Sequence, residues 1–564
     1  MKTILKNAFV VNVFTEEIEK QDVLIENGII LGVGDYSDVT ADSTADLTGK
    51  YICPGFIDGH IHIESTMLIP YEFAKACAPH GTTAVIADPH EIANVCGKDG
   101  IRYMLQASEG LPLTVYIMLP SCVPSTSFDE SGASLTAEDL EEFYSHPRVL
   151  GLAEVMDYPG VISENEGLIK KINSAKAHGA VINGHAPLLT GHSLDKYISA
   201  GIYDDHECSS VEEACERIRK GQFIMIRQGT AAKNLVDLLP LFKKPWSDRC
   251  MLVSDDKHPA DLIERGHIDD AVRIAVKRGA SPLAAIKMAS FNAAQHFGLK
   301  NVGAIAPGYA ADLIVLNSLE AVEICDVYKN GKKVSSNGSV VPFEKPVVDN
   351  ALESRVHRTF SLDMMKGSDF IINCGEKRKC NIIRAFRRQI ITEKETAVID
   401  FSVNNGIDIE NDLLKIAVIE RHKHTGHMGV AFIRGIGLKC GAIASSVAHD
   451  SHNLIVVGTN EADMAFAANT VIEAGGGLAA VNNGAVVSKM ALPVAGIMSE
   501  EDARVCAEQN AEIKNAALLL GCPERSEPFM RMSFISLPVI PHIKLTTFGL
   551  FDGDSFSLMP LFAD

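Results

Sequence analysis

Between about residue 54 and residue 301 the chain alternates short, apolar, β-branched runs with amphipathic stretches of helical period. Apolar runs bounded by turn residues predict buried strands, and their alternation with helical patterns predicts βα units stacked around a parallel sheet. Eight such runs can be counted: FIDGHIH, TTAVIAD, LTVYIML, VLGLAEV, AVINGHA, IYDDHE, FIMIRQG and CMLVSDD. Between them lie candidate helices such as GKDGIRYMLQAS, TAEDLEEFYSH, EGLIKKINSAKAHG and SVEEACERIRKG, several closed by a glycine suited to a C-cap. A count of eight predicts a closed (β/α)8 TIM-like barrel over residues 54–301 rather than an open sheet.

The flanks carry a different pattern. Residues 1–53 read as short strands separated by turns (IENGII, LTGKYICPGF), and 302–343 share that character (AIAPGYAADLIVLN, VYKNGKKV). Both ends are expected to pair into one small composite β-sandwich domain. The polar, weakly periodic stretch 344–368 reads as a linker. Residues 369–564 combine strands (LLKIAVIERH, GVAFIRGIG, NLIVVGTN) with helices (EADMAFAANTVIEAGGG, EEDARVCAEQNAEIKNAALLLG), which predicts a C-terminal α/β domain. A chain of 564 residues exceeds what one hydrophobic core organises, in keeping with several domains.

Composition narrows the possible partners. With 52 Lys+Arg against 72 Asp+Glu the net charge is −20, which opposes nucleic-acid or anionic-membrane binding and favours a small neutral substrate. The N-terminal MKTILKNAFVVNVFTEEIEK places acids where a signal peptide needs an apolar core, and no apolar run reaches membrane-spanning length. A cytoplasmic protein is therefore expected. Its 13 cysteines, without CxxC pairs, read as reduced thiols.

Enzymes on this barrel carry their chemistry at the C-terminal strand ends. Here those ends present His60 and His62, then Asp88, His90 and Glu91, then Glu154, His185, His206, and finally Asp255 and Asp256. Residues i and i+2 of a strand face the same side, so His60 and His62 can grip one ion. Singly, each of these residues has a structural role open to it: a core histidine, a mouth salt bridge or a helix cap. Their recurrence at successive strand ends, with apolar strand middles, points to a metal-dependent hydrolase with a two-metal site that Glu154 bridges. Mixed imidazole and carboxylate ligation suits Zn, Fe or Mn alike.

The segments CPGFIDGHIHIES and GAIAPGYAADLIVL resemble the amidohydrolase superfamily. Further segments (IADPHEIANVCG, GLAEVMD, NGHAP, DDHEC, LVSDD, RHKHTGHMG and VAHDSHNLIVVG) narrow the likeness to the adenine deaminase family over nearly the whole chain. That resemblance implies hydrolytic deamination of adenine to hypoxanthine and ammonia, in purine salvage, by a metal-activated bridging hydroxide. It also implies His60, His62, Glu154, His185, His206 and Asp255 as ligands of two ions per subunit, Mn2+ before Fe2+ or Zn2+. Many superfamily members bridge their metals with a carboxylated lysine at the position Glu154 holds, and adenine deaminases use glutamate there. Asp255 is the expected proton carrier, with Glu154 and Glu91 beside it as catalytic groups. Glu91 could protonate a ring nitrogen, while Asp88, His90 and Asp256 are expected to contact substrate, orient ligands or, for Asp88 and His90, bind an additional metal.

In the last region His422, His424 and His427 lie close together, as do His449, Asp450 and His452. They are read as hydrogen-bonding loop groups rather than a separate metal site, in a domain that caps the barrel or forms the subunit interface of a homo-oligomer, a dimer. Two rival readings remain: a cyclic amidohydrolase of the dihydroorotase or hydantoinase type, and an inactive barrel acting as a scaffold.

Overall fold

The computed structural model describes residues 1–230, 232–387, 389, 391–524 and 526–563. Eight parallel strands form the central element: β1 (Phe56–Ile61), β2 (Thr82–Ala87), β3 (Thr114–Leu119), β4 (Val149–Val155), β5 (Val181–Gly184), β6 (Asp204–Asp205), β7 (Phe223–Arg227) and β8 (Cys250–Val253). They pair in two runs, β1 to β5 and β6 to β8. Across one gap the Gly184 amide donates to the Asp204 carboxylate at 2.7 Å. Across the other the Asp255 amide donates to the His60 carbonyl at 2.9 Å, so the barrel is closed.

Period-two alternation divides each strand between the barrel interior and the surrounding helices. In β2, Ala84 and Ile86 join Met118, Ala153, Met225 and Met251 in the central core, while Val85 and Ala87 pack outward with Phe73 and Met104. The filling is tight at Gly59, where a Cβ would meet the Met251 sulfur at 2.7 Å. Predicted helices appear at Lys98–Ala107, Glu166–Ala177 and Val211–Arg219. TAEDLEEFYSH instead makes a short helix, Ala137–Leu140, that tightens into a 3-10 turn at Glu141–Phe143, because Pro147 just beyond disfavours further α conformation.

The two flanks meet where Tyr51–Pro54 pairs antiparallel with Leu313–Ser318, building one nine-stranded sheet. A bridge between Ile29 and Ala310 folds this sheet back over a core that includes Leu5, Val23, Ile52 and Val315. The stretch 344–368, read as a linker, carries a helix, Asn350–His357, that buries Leu352 and Val356 and pairs Arg355 with Asp99 at 2.6 Å.

The C-terminal domain holds an eight-stranded sheet from β9 (Lys377–Ala385), β10 (Thr392–Asp400), β11 (Leu414–Ile419), β12 (Met428–Arg434), β13 (Ala442–Ser445), β14 (Leu454–Gly458), β15 (Gly477–Asn482) and β16 (Ala485–Ala491). Its order is β10-β9-β12-β11-β14-β13-β15-β16. Along β11, Ala417 and Ile419 pack under the helix Glu461–Glu473. Ile416 and Val418 face the other way, into a cluster continuous with the outer core of the barrel. The helix Ala503–Leu519 lies in that same cluster, against the barrel helix Pro259–Arg265. Among the described residues no helix is long and apolar enough to cross a membrane.

The seam between β1 and β8 is reinforced by the fully buried Asp58 carboxylate. It accepts from the Ser254 amide at 3.0 Å, the Ser254 hydroxyl and the His60 amide at 3.2 Å, with the His267 ring 2.9 Å away. Removing a buried acceptor leaves its donors unpaired, so Asp58→Ala is expected to cost on the order of 3 kcal/mol. Denaturant unfolding checks this; an unchanged midpoint would place the closure of the barrel elsewhere.

Candidate active site

All six residues singled out as ligands converge at the C-terminal mouth of the barrel. His60 and His62 follow one another along β1 with their Nε2 atoms 3.6 and 3.3 Å from Asp255 Oδ1, just past β8. Glu154, on β4, divides its oxygens: Oε1 stands 3.6 Å from His62 Nε2, and Oε2 lies 2.8 Å from His185 Nδ1 and 3.0 Å from His206 Nε2. One carboxylate thus faces His62 with one oxygen and the His185/His206 pair with the other, the geometry a bridging ligand needs. Four overlapping donor sets follow among the described residues, His60/His62/Asp255, His60/Glu154/His206, His62/Asp88/His90/Glu154 and His185/His206/Glu207, each with ligand atoms within 4.8 Å of one another.

Burial makes this assembly costly without a cation. Water is excluded from Glu154, which burial alone would drive toward its neutral form, but His185 and His206 hold it well below the carboxylate range. Asp255 is likewise buried, and Arg227, His60 and His62 outweigh that burial and keep it ionised. On the other side burial opposes charge on His62, yet Asp255 and Glu154 raise its pKa well above the imidazole value. His206 is raised in the same way by Glu154 and Glu207 against its burial. The buried Nε2 of His60 has no hydrogen-bond partner at all, a lone pair or proton left for something else to meet. Imidazole nitrogens and carboxylate oxygens in this density fit divalent cations.

Around this centre the DPHE segment divides its work. Asp88 accepts the His62 Nδ1 proton on its backbone carbonyl at 3.1 Å, which turns His62 Nε2 toward Asp255. The Asp88 side chain holds His90 Nδ1 at 3.1 Å, and that ring also approaches Glu154 Oε1 at 3.6 Å. Glu91 points elsewhere, into the C-terminal domain, with His449 Nδ1 at 2.7 Å from Oε1 and His452 Nε2 at 3.3 Å from Oε2. Asp256 accepts from Ser65 Oγ at 2.6 Å, and its burial beside Asp255 raises its pKa.

Glu207 and Arg227 escaped the sequence reading, and His449, read there as a hydrogen-bonding loop group, meets Glu91 at the barrel mouth. Glu207 lies 3.3 Å from His206 Nε2 and 3.6 Å from His185 Nδ1. Strand alternation would send it away from His206, but β6 ends at Asp205 and both side chains reach the mouth. Arg227 ties Glu207 to Asp255 at 2.5 and 2.8 Å; a search of strand ends for metal donors passes over a guanidinium. His449 sits in a loop whose place over the barrel no local pattern encodes. His422 bonds the Ser451 carbonyl at 2.8 Å, and His427 pairs with Glu130 at 2.8 Å, away from the centre.

The sequence matches the amidohydrolase family over residues 51–338 and the adenine deaminase C-terminal domain over residues 389–557. It is 46% identical over 561 residues to adenine deaminase 2 of Carboxydothermus hydrogenoformans, covering 99% of this chain and 96% of that one. An adenine deaminase of Desulfatibacillum aliphaticivorans is 46% identical over 562 residues, covering 99% and 97%. One of Oceanobacillus iheyensis is 43% identical over 557 residues, covering 98% and 94%. The chain belongs to the adenine deaminase family. As an amidohydrolase it is a hydrolytic enzyme with a divalent metal, and the donor cluster at the barrel mouth provides for one. The C-terminal domain of the adenine deaminase family is here not a remote appendage, since its His449 and His452 meet Glu91 at the rim of that mouth.

Imidazoles held above their ordinary pKa must shed protons before they ligate a metal. Metal binding is therefore expected to release protons near neutrality and to tighten as pH rises, by roughly tenfold or more between pH 6.5 and 8. Titration of the metal-free protein with Mn2+ at several pH values measures this; equal affinity across that range would show the rings already neutral.

Proposed function

We propose that this chain hydrolyses adenine to hypoxanthine and ammonia, a purine-salvage reaction, with two divalent cations per subunit held by His60, His62, Glu154, His185, His206 and Asp255. The split of the Glu154 oxygens, one toward His62 and the other toward His185 and His206, carries the two-ion reading, and similarity along almost the entire chain supports the substrate. Mn2+ is the proposed metal, on the association of the family with Mn and Fe; Fe2+ and Zn2+ suit the same donors. Thirteen unpaired cysteines support a cytoplasmic setting.

When bound, the cations supply a water acidic enough to attack at neutral pH. The protein provides the rest. Asp255 takes the proton from the attacking water and passes it to the departing amino group, a role open to it because Arg227 and the two histidines hold it ionised. Attack on C6 breaks the aromaticity of the ring, so a ring nitrogen must gain a proton as the tetrahedral centre forms. The Glu91–His449 pair is the proposed donor: Glu91 is held ionised between His449 and His452, and the proton of the pair sits on His449, whose ring is raised to about 9. Asp256 and Ser65 form a hydrogen-bonding pair at the same rim, available to the purine edge. Overall one water is consumed, the C6–N bond is broken and ammonia leaves.

Asp255→Asn keeps the size of the side chain and removes the proton acceptor. Turnover of adenine is expected to fall about a hundredfold to ten-thousandfold, within the range for loss of an acid–base group, with the unfolding midpoint unchanged. Ammonia release measures it, and near wild-type turnover would assign the proton transfer to another group. Exhaustive chelation should abolish activity and Mn2+ restore it; ring opening of a dihydropyrimidine in place of ammonia release would favour a cyclic amidase instead.

A further inference from the structure

Where the loop that follows β3 meets the loop 449–453 of the C-terminal domain, four buried side-chain oxygens have no hydrogen-bond partner: Ser125 Oγ, Asp129 Oδ2, Asp450 Oδ2 and Asn453 Oδ1. The residues that carry them are between 0% and 6% exposed. The Asn453 side chain fixes the meeting of the two loops, donating from Nδ2 to the Glu130 carbonyl at 2.7 Å and to Ser451 Oγ at 3.2 Å, so that its oxygen is the end left over. Asp129 lies beside Ser451 and Ser125 and within the field of Asp450. Burial, reinforced by Asp450 and Glu130, pushes the Asp129 carboxyl well above the usual carboxylate range against the pull of the two hydroxyls. Asp450 turns its other oxygen, Oδ1, toward His90 Nε2 at 3.8 Å. The neighbouring Glu130 differs from both, because His427 meets one of its oxygens at 2.8 Å and the Thr547 hydroxyl the other at 2.5 Å. Buried acceptors left without a partner cost free energy that a ligand can offset, and two acids near one another set the sign of that ligand as positive.

We infer that Asp129, Asp450, Asn453 and Ser125 form a binding site for a hard, oxygen-seeking divalent cation, Ca2+ before Mg2+, that fastens the barrel rim to the C-terminal domain. All four donors are oxygens, two from carboxylates, one from a carboxamide and one from a hydroxyl, a set that suits Ca2+ and Mg2+ and lacks the imidazoles of the barrel mouth. Ca2+ fits it better, since side chains drawn from two loops do not impose the strict octahedron that Mg2+ demands. The site shares no residue with the ligand set of His60, His62, Glu154, His185, His206 and Asp255, so its ion is additional to theirs. One divalent charge balances the two carboxylates. With donors at 125 and 129 on one side and at 450 and 453 on the other, the ion closes a loop of the same span as the Asn453 to Glu130 bond, 323 residues. Asp450 directly follows His449 in the chain, so an ion held there also keeps His449 against Glu91 at 2.7 Å.

The test uses the full-length, manganese-loaded protein, dialysed to equilibrium against Ca2+ or Mg2+ with every metal counted by elemental analysis. Wild-type protein is expected to take up one Ca2+ per chain without losing manganese, and its unfolding midpoint is expected to climb with Ca2+ concentration. Asp129→Asn keeps the size of the side chain and removes a charged donor. It is expected to weaken Ca2+ binding about tenfold or more and to flatten the climb, with manganese content at the wild-type level. In calcium-free buffer this variant should unfold no earlier than wild type, because it loses an acid that has no counter-charge there; an acid serving packing alone would leave the variant less stable. Ser125→Ala, a smaller change that spares both acids, is expected to weaken Ca2+ binding about threefold or more. Mg2+ uptake that fails in the same variants would uphold the site with the second ion in place of the first. No uptake of either ion up to about 1 mM, the weak end of protein calcium sites, would overturn the assignment. So would Ca2+ entering only in exchange for manganese, or binding at wild-type affinity in both variants. None of these outcomes depends on adenine turnover, so the deaminase reading stands or falls separately.

Discussion

The hydrogen bond from the Asp255 amide to the His60 carbonyl joins the last barrel strand to the first, and the chemistry of the mouth depends on that seam. It sets Asp255, nearly two hundred residues downstream in the chain, beside His60 and His62, so that the two imidazoles and the carboxylate meet although no local element holds them together. Asp58 locks the same seam from within by accepting from both strands. The side chains that stiffen the barrel and those that gather charge at its mouth share β1 and its end: Asp58 faces His267 on the side opposite Ile57 and Gly59, and the register slips between Asp58 and Ile61 where His60 and His62 turn to the mouth. Stability and reactivity share a strand, with the deeper position serving the fold and the shallower ones the site.

Gathering so many ionisable groups out of water has an electrostatic logic. Each carboxylate would be neutral by burial alone, and each imidazole uncharged; together they hold one another in opposite charge states. Arg227 extends the balance to Glu207 and Asp255, while burial and the neighbouring Asp255 raise the proton affinity of Asp256 against the opposing pull of His62 and His449. Such a network is compact only while its members stay in register. Helices and strands of the barrel supply that register, and the C-terminal domain braces the rim through Glu91.

Much of this was legible from the residues in order. Eight apolar runs with polar ends announce a barrel because buried parallel strands need apolar middles and the fold places its functional groups at one end. His60 and His62 were visible through their spacing, and the six donors through their recurrence at strand ends. Glu207 was hidden by the short β6, where the alternation that assigns faces breaks off after two residues. Arg227 was hidden by its charge, since it serves the site by compensating acids rather than by donating to a metal. The contribution of His449 and His452 was out of reach for another reason: which face of a C-terminal sheet lies over which barrel loop is decided by long-range packing such as that of Ile416 and Val418, and no periodicity along the chain records it.

The order of the parts along the polypeptide has a consequence for biosynthesis. Every side chain gathered around Glu154 is encoded before residue 256, whereas the helix Ala503–Leu519 and the aromatic residues that follow it are among the last to leave the ribosome. A growing chain can thus bring these barrel donors together while still tethered, before the domain that covers the rim has been made. The loop that carries His449 and His452 follows nearly two hundred residues later, so the contact with Glu91 is a late addition to a rim already formed.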